Sequence, residues 1–140
     1  MGDRRQPIRF TLENSLSELE QLTKQLETAK KEWQLTDQFI LQLNLALDEL
    51  FTNIVSYGYD SEPKQLISFT LAHKRDAIEI TMCDNGKPFN PTIPDDPDME
   101  VPLDEKEIGG LGIFLARQYT DTLDYRREDD QNIVILTKRI

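Results

Sequence analysis

Cysteine, histidine and tryptophan occur once each in this chain, and no apolar stretch is long enough to cross a bilayer. The lone Cys83 excludes an internal disulfide and suits a reducing cytoplasm. The opening residues Met1–Pro7 lack the apolar core of a signal peptide. Met1-Gly2 begins a myristoylation pattern, but Gln6 stands where that pattern requires Ser or Thr. A basic excess is also missing. Sixteen Lys and Arg face 26 Asp and Glu, for a formal net charge of −10. That balance argues against nucleic acid as a partner, because phosphate-backbone binders carry a basic face. It leaves room for a single nucleotide held by backbone N–H groups and a cation, and favours a basic or neutral protein partner.

What is present reads as one soluble domain over residues 1–140, with its core from about residue 10 onward. Pro7–Leu12 alternates as a short strand. Ser15 or Ser17 is placed to cap a helix whose Leu16, Leu19, Leu22 and Leu26 form a core stripe. Lys30-Lys31-Glu32 closes it, leaving Trp33 in the connection as a packing residue. A second helix, capped by Thr36 or Asp37, runs to about Tyr57 and ends at Gly58. After the turn Asp60–Lys64, Leu66–Leu71 and Ala77–Cys83 read as an antiparallel hairpin linked by His73–Asp76, with His73 at an exposed turn and outside any catalysis. Pro88–Glu107 is a long Pro- and Asp-rich connection of the kind that forms functional excursions. A helix at Leu111–Tyr119 follows, then a hairpin of Leu123–Arg126 and Ile133–Thr137 across Glu128–Asn132. The expected class is α/β (α+β): a two-layer sandwich of about three helices on one face of an antiparallel or mixed five-stranded sheet.

Three groups of residues carry chemistry. Glu49 and Asn53 sit four apart in the apolar run Leu43–Val55, so one helix face presents a carboxylate beside an amide. Among apolar neighbours that face looks into a cleft, where a buried acid can serve as a base and an amide oxygen suits Mg²⁺. Asp48, about 100° around the helix, is read as solvent-facing. Asp84-Asn85-Gly86 follows a strand: Asp84 can accept from an exocyclic amine, and Gly86 lets a planar base approach the backbone. Gly109-Gly110-Leu111-Gly112 opens a helix and can turn N–H groups toward an anion. It is neither a Walker loop nor a dinucleotide fingerprint.

As an ordered set, Glu49-x-x-x-Asn53, Asp84-x-Gly86 and Gly110-x-Gly112 resemble the GHKL ATPase/kinase superfamily with its Bergerat-type ATP-binding fold. Leu47–Val55 and Gly110–Leu115 look most like the anti-sigma-factor serine/threonine kinases of bacterial partner switching. The resemblance implies ATP and Mg²⁺ as cofactors, with Asn53 on the metal and Glu49 as the base. It puts Asp84 on the adenine amine and Gly86 in the base pocket. Gly110, Leu111 and Gly112 fall at the phosphates. It also implies a sigma factor and a STAS-type anti-anti-sigma protein as partners, a homodimer, and no membrane association. Two positions depart from the pattern. Ile108 stands where such kinases often carry a basic residue two places before the first glycine. Gln131-Asn132 replaces a Gly-Thr at the last strand, with Asn132 or Thr137 as substitutes on the adenine side. The alternatives are a catalytically weak, nucleotide-gated binding module, or a stand-alone histidine-kinase-type ATPase domain.

Overall fold

The computed structural model describes residues 6–57, 65–88 and 116–140. Strand β1 (Ile8–Glu13) leads into a single 3-10 turn, Leu16–Glu18, capped by the Ser15 hydroxyl. Helix α1 (Leu19–Trp33) then buries Leu22, Leu26, Ala29 and Trp33. Two expectations are corrected here. Leu16 is exposed, because it lies in the 3-10 turn before the helical stripe begins. Trp33 belongs to the last turn of α1, which Gln34 closes in the left-handed conformation at φ 53°. Thr36 caps α2 (Asp37–Tyr57), its Oγ1 accepting from the Phe39 N–H at 3.0 Å. The expected helix end at Gly58 and the turn Asp60–Lys64 lie outside the described residues.

Strands β2 (Leu66–His73), β3 (Ala77–Asp84), β4 (Thr122–Glu128) and β5 (Gln131–Arg139) join β1 in one antiparallel sheet, ordered β1-β2-β3-β5-β4. His73 ends β2 and lies half-buried, edge-on to Trp33 at 5.5 Å between ring centroids, instead of at an exposed turn. The last hairpin is tighter than its sequence suggests. Its strands run up to Glu128 and from Gln131, and only Asp129 and Asp130, both at positive φ, form the turn. Asn132 is therefore a strand residue. Residues 116–118 are helical, and the rest of the expected third helix, 111–115, lies outside the described residues.

The helix-facing side of the sheet is built in rows. Ile8, Leu71, Ile80, Leu136 and Leu123 pair in succession across all five strands. Phe10, Phe69, Met82, Val134 and Tyr125 form the next row. These rows, α1 and α2 make the core. Phe10 stacks on Phe69 at 4.8 Å, and Phe51 of α2 tilts onto Phe69 at 6.2 Å. The third row is apolar only at Leu12 and Ile67; it then becomes Asp84, Asn132 and Arg127.

Candidate functional site

Two contacts fix how α2 lies on the sheet. Near its start, Gln42 accepts a hydrogen bond at 2.9 Å from Lys138, whose partner across β3 is Ile78. Further along, Phe51 meets Phe69, whose partner on β3 is Met82. Nine helical residues and four strand residues both cover about 13 Å, so α2 and β3 advance together toward the same end of the sheet. Asn53, two residues beyond Phe51, lies about 3 Å further toward the sheet end at which β3 finishes with Asp84. It is buried at 1% exposure, while Glu49, one turn earlier, is half-buried. Asp48 is not the free surface acid expected. It is half-buried, accepts from Asn44 Nδ2 at 2.9 Å, and its pKa is pushed up to about 6 by burial and the neighbouring Glu49 charge.

At the sheet end, Asp84 is 3% exposed. Its Oδ1 accepts from the Gly86 N–H at 2.8 Å and from Asn132 Nδ2 at 3.0 Å. Both bonds fall on one oxygen, leaving Oδ2 as an acceptor. Burial raises the pKa of this carboxyl, opposed by the Asn132 and Gly86 donors and by the Arg127 charge. Gly86 is itself buried, and its carbonyl accepts from Arg127 Nη1 at 2.7 Å. Tyr125 Oη and Arg127 Nη1 donate to Asn132 Oδ1 at 2.6 and 3.1 Å. The third row, with Tyr125 and Gly86 beside it, thus holds a polar network where core packing would otherwise continue.

The structure joins Asp84 to Gly86 directly and places Asn53 on the part of α2 that runs toward the same end of the sheet. Gly110, Leu111 and Gly112, together with Ile108, lie outside the described residues. Of the two substitutes for the Gly-Thr pattern, Asn132 is in the network. Thr137 is not: it lies five residues along β5, about 17 Å away, on the opposite face, bonded to Thr122. Tyr125 and Arg127 were missed by the sequence reading. Their signal was alternation: Leu123, Tyr125 and Arg127 share the inward face of β4, and an arginine there breaks the apolar pattern.

These residues fit an adenine nucleotide. A buried acceptor stands next to a glycine whose side of the turn has no Cβ to fill the space of a planar base. They also fit a metal that enters with phosphates. Among the described residues no cluster of three or more His, Cys, Asp or Glu could hold a metal ion on its own. Asn53 offers a single amide oxygen, which suits a Mg²⁺ that keeps water and phosphate as its other ligands. The open groove lined by Trp33, Glu32, Thr28 and Pro7 lies at the β1 edge, away from this network.

Comparison with known proteins places the fold. The family model of histidine kinase-like ATPase domains matches residues 12–138. The serine/threonine-protein kinase BtrW of Bordetella bronchiseptica is 34% identical over 95 residues, 68% of this chain and 67% of that protein. The serine-protein kinase RsbW of Halalkalibacterium halodurans is 29% identical over 103 residues, 71% of this chain and 62% of the relative. The anti-sigma F factor of Clostridium perfringens is 23% identical over 104 residues, 74% of each. The matches thus span between about three fifths and three quarters of these relatives' lengths. In the crystal structure of the RsbU and RsbW domains of Rv1364c from Mycobacterium tuberculosis, the fold recurs with a TM-score of 0.69 at 16% identity. That likeness covers 96% of this chain and 32% of the other.

Proposed function

The chain belongs to the family of histidine kinase-like ATPase domains, and from that premise we propose that it is an anti-sigma regulatory factor that binds Mg-ATP in the cytoplasm and phosphorylates a serine or threonine of an anti-anti-sigma protein. The observation that carries the reading is the buried Asp84 carboxylate, held by Gly86 and Asn132 with one oxygen left to accept. Adenine offers an amine to that oxygen, whereas guanine offers a carbonyl at the corresponding place. The names of the relatives, serine kinases and an anti-sigma factor, support the rest of the proposal.

In this reading Asn53 ligates Mg²⁺ together with the nucleotide phosphates, and Gly110, Leu111 and Gly112 contribute backbone N–H groups to those phosphates. Glu49 takes the proton of the acceptor hydroxyl. The hydroxyl oxygen bonds to the γ-phosphorus as the bond to the β,γ-bridging oxygen breaks, and ADP leaves. Such transfer relies on positioning and charge neutralisation more than on covalent help from the protein.

Thermal shifts with ATP, ADP and GTP, each with and without Mg²⁺, test the binding half. Stabilisation by ATP and ADP but not GTP is expected, and no response to any nucleotide removes the reading. Incubation with Mg-ATP and the cognate antagonist protein tests the kinase half, through the appearance of phosphoserine or phosphothreonine. A second reading, a nucleotide-gated binding module, is favoured by Ile108 in place of a cation. Glu49→Ala separates the two: a partner switch unaffected by the loss of Glu49 assigns the protein to the second.

A further inference from the structure

Asn132 is 3% exposed, and its two ends face chemically opposite partners. Its Oδ1 receives Tyr125 Oη and Arg127 Nη1. Its Nδ2 donates to Asp84 Oδ1 at 3.0 Å, to the Lys87 carbonyl at 2.8 Å and, more weakly, to the Gly86 carbonyl at 3.4 Å. A guanidinium only donates and a backbone carbonyl only accepts, so the amide has a single orientation. The other charged and titratable groups facing this pair, among the described residues, are Arg127 and Tyr125 from β4.

The site of Asn132 in the sheet gives this arrangement its meaning. It pairs with Asp84 across β3 and with Arg127 across β4, so the backbone ladder delivers all three side chains to one row. One amide thereby ties together the carboxylate and both carbonyls of the turn that follows β3.

We propose that Asn132 is a positioning residue for base recognition: by donating to Asp84 Oδ1 it pins that carboxylate in one rotamer, with Oδ2 presented as an acceptor to the amine of an adenine nucleotide. The inference rests on the proposed ATP binding. It assigns Asn132 no contact with the nucleotide and Arg127 and Tyr125 the task of fixing its amide.

The test is Asn132→Asp, which keeps the shape and replaces the donor with an acceptor. At pH 8 two carboxylates then face each other, and Asp84 keeps only the Gly86 N–H against their repulsion to hold its rotamer. At pH 5.5 a proton shared between them stands in for the amide hydrogen. Calorimetric ATP affinities of variant and wild type are compared at both pH values, and their ratio cancels the titration of the nucleotide phosphates. The expected weakening is about tenfold or more at pH 8, shrinking to within about threefold at pH 5.5. A variant that tracks wild type at both pH values overturns the proposal, as does a loss that is equal at both, which marks a structural role only. Wild-type protein that binds no ATP instead removes the proposed function itself, and this inference with it. If circular dichroism shows that Asn132→Asp does not fold, the double variant Tyr125→Phe, Arg127→Gln takes its place. It leaves Asn132 intact but removes both donors that hold its Oδ1, so that only Asp84 and the turn carbonyls orient the amide. ATP affinity is expected to fall about threefold or more; unchanged affinity overturns the proposal.

Discussion

Asp48 and Glu49 are adjacent in sequence, yet α2 gives them different surroundings. Asp48 leans into a half-buried position where Asn44 meets it, and its pKa climbs from 3.8 to about 6. An acid whose pKa is higher in the folded state binds protons more tightly there. Its contribution is therefore most favourable below the unfolded pKa and is lost as pH rises through the folded value. Taken at face value the shift corresponds to about 3 kcal/mol, which partial solvent exposure reduces to about 1 kcal/mol. Asp48→Asn is therefore expected to raise the melting temperature by about 3 °C at pH 7.5. The difference should shrink to a small remainder near pH 4, close to the unfolded pKa, where the folded carboxyl is protonated. Melting curves of the two proteins from pH 4 to 8 check this, and a difference that does not change with pH removes burial of the charge as its cause.

At the scale of elements, the hairpin of β4 and β5 is where backbone conformation and sequence disagree most. Asp129 and Asp130 adopt φ values of 50° and 62°. This left-handed pair is the geometry of a two-residue hairpin turn, which favours Asn-Gly. Replacing Asp129-Asp130 by Asn-Gly is expected to stabilise the protein by about 1 kcal/mol, read as a rise of about 3 °C in thermal melting. No rise would show that the turn carries no strain. The same hairpin marks the limit of what the sequence revealed. Alternation exposed the strands and the fused apolar run exposed α2, so the two-layer architecture was legible. Asp-Asp lacks the glycine that announces a tight turn, so the sequence predicts too wide a hairpin and puts Asn132 in its connection. Pairing is a property of register between distant strands. Nothing along β4 or β5 alone tells that Arg127, Asn132 and Asp84 share a row. The motif residues Glu49, Asn53, Asp84 and Gly86 were legible because their spacing is local, whereas their supports are brought together only by the sheet.

Across the whole molecule, the candidate site depends on one layer sitting correctly on the other. Asp84 comes from the sheet and Asn53 from α2, and the aromatic ladder Phe10–Phe69–Phe51 crosses the boundary between them. Phe51 is fully buried at the helix end of that ladder, two residues before Asn53. Phe51→Ala removes the contact and leaves a cavity, at a cost of about 3–5 kcal/mol. Against a domain stability of about 5–15 kcal/mol the variant should remain folded but nearer its limit. A ligand that binds only the folded state adds about 2.7 kcal/mol at a hundred times its dissociation constant. If α2 and the sheet must be in register for the nucleotide to bind, Mg-ATP at that concentration for wild type restores less than this to Phe51→Ala, because affinity falls with the loosened helix. Phe10→Ala is the control: it weakens the same ladder at β1, one ring removed from α2, and should receive the full stabilisation. Urea midpoints of the three proteins with and without Mg-ATP read the difference directly. Equal increments for Phe51→Ala and Phe10→Ala would mean that the nucleotide does not sense where α2 lies, and Asn53 would then have no place among its ligands.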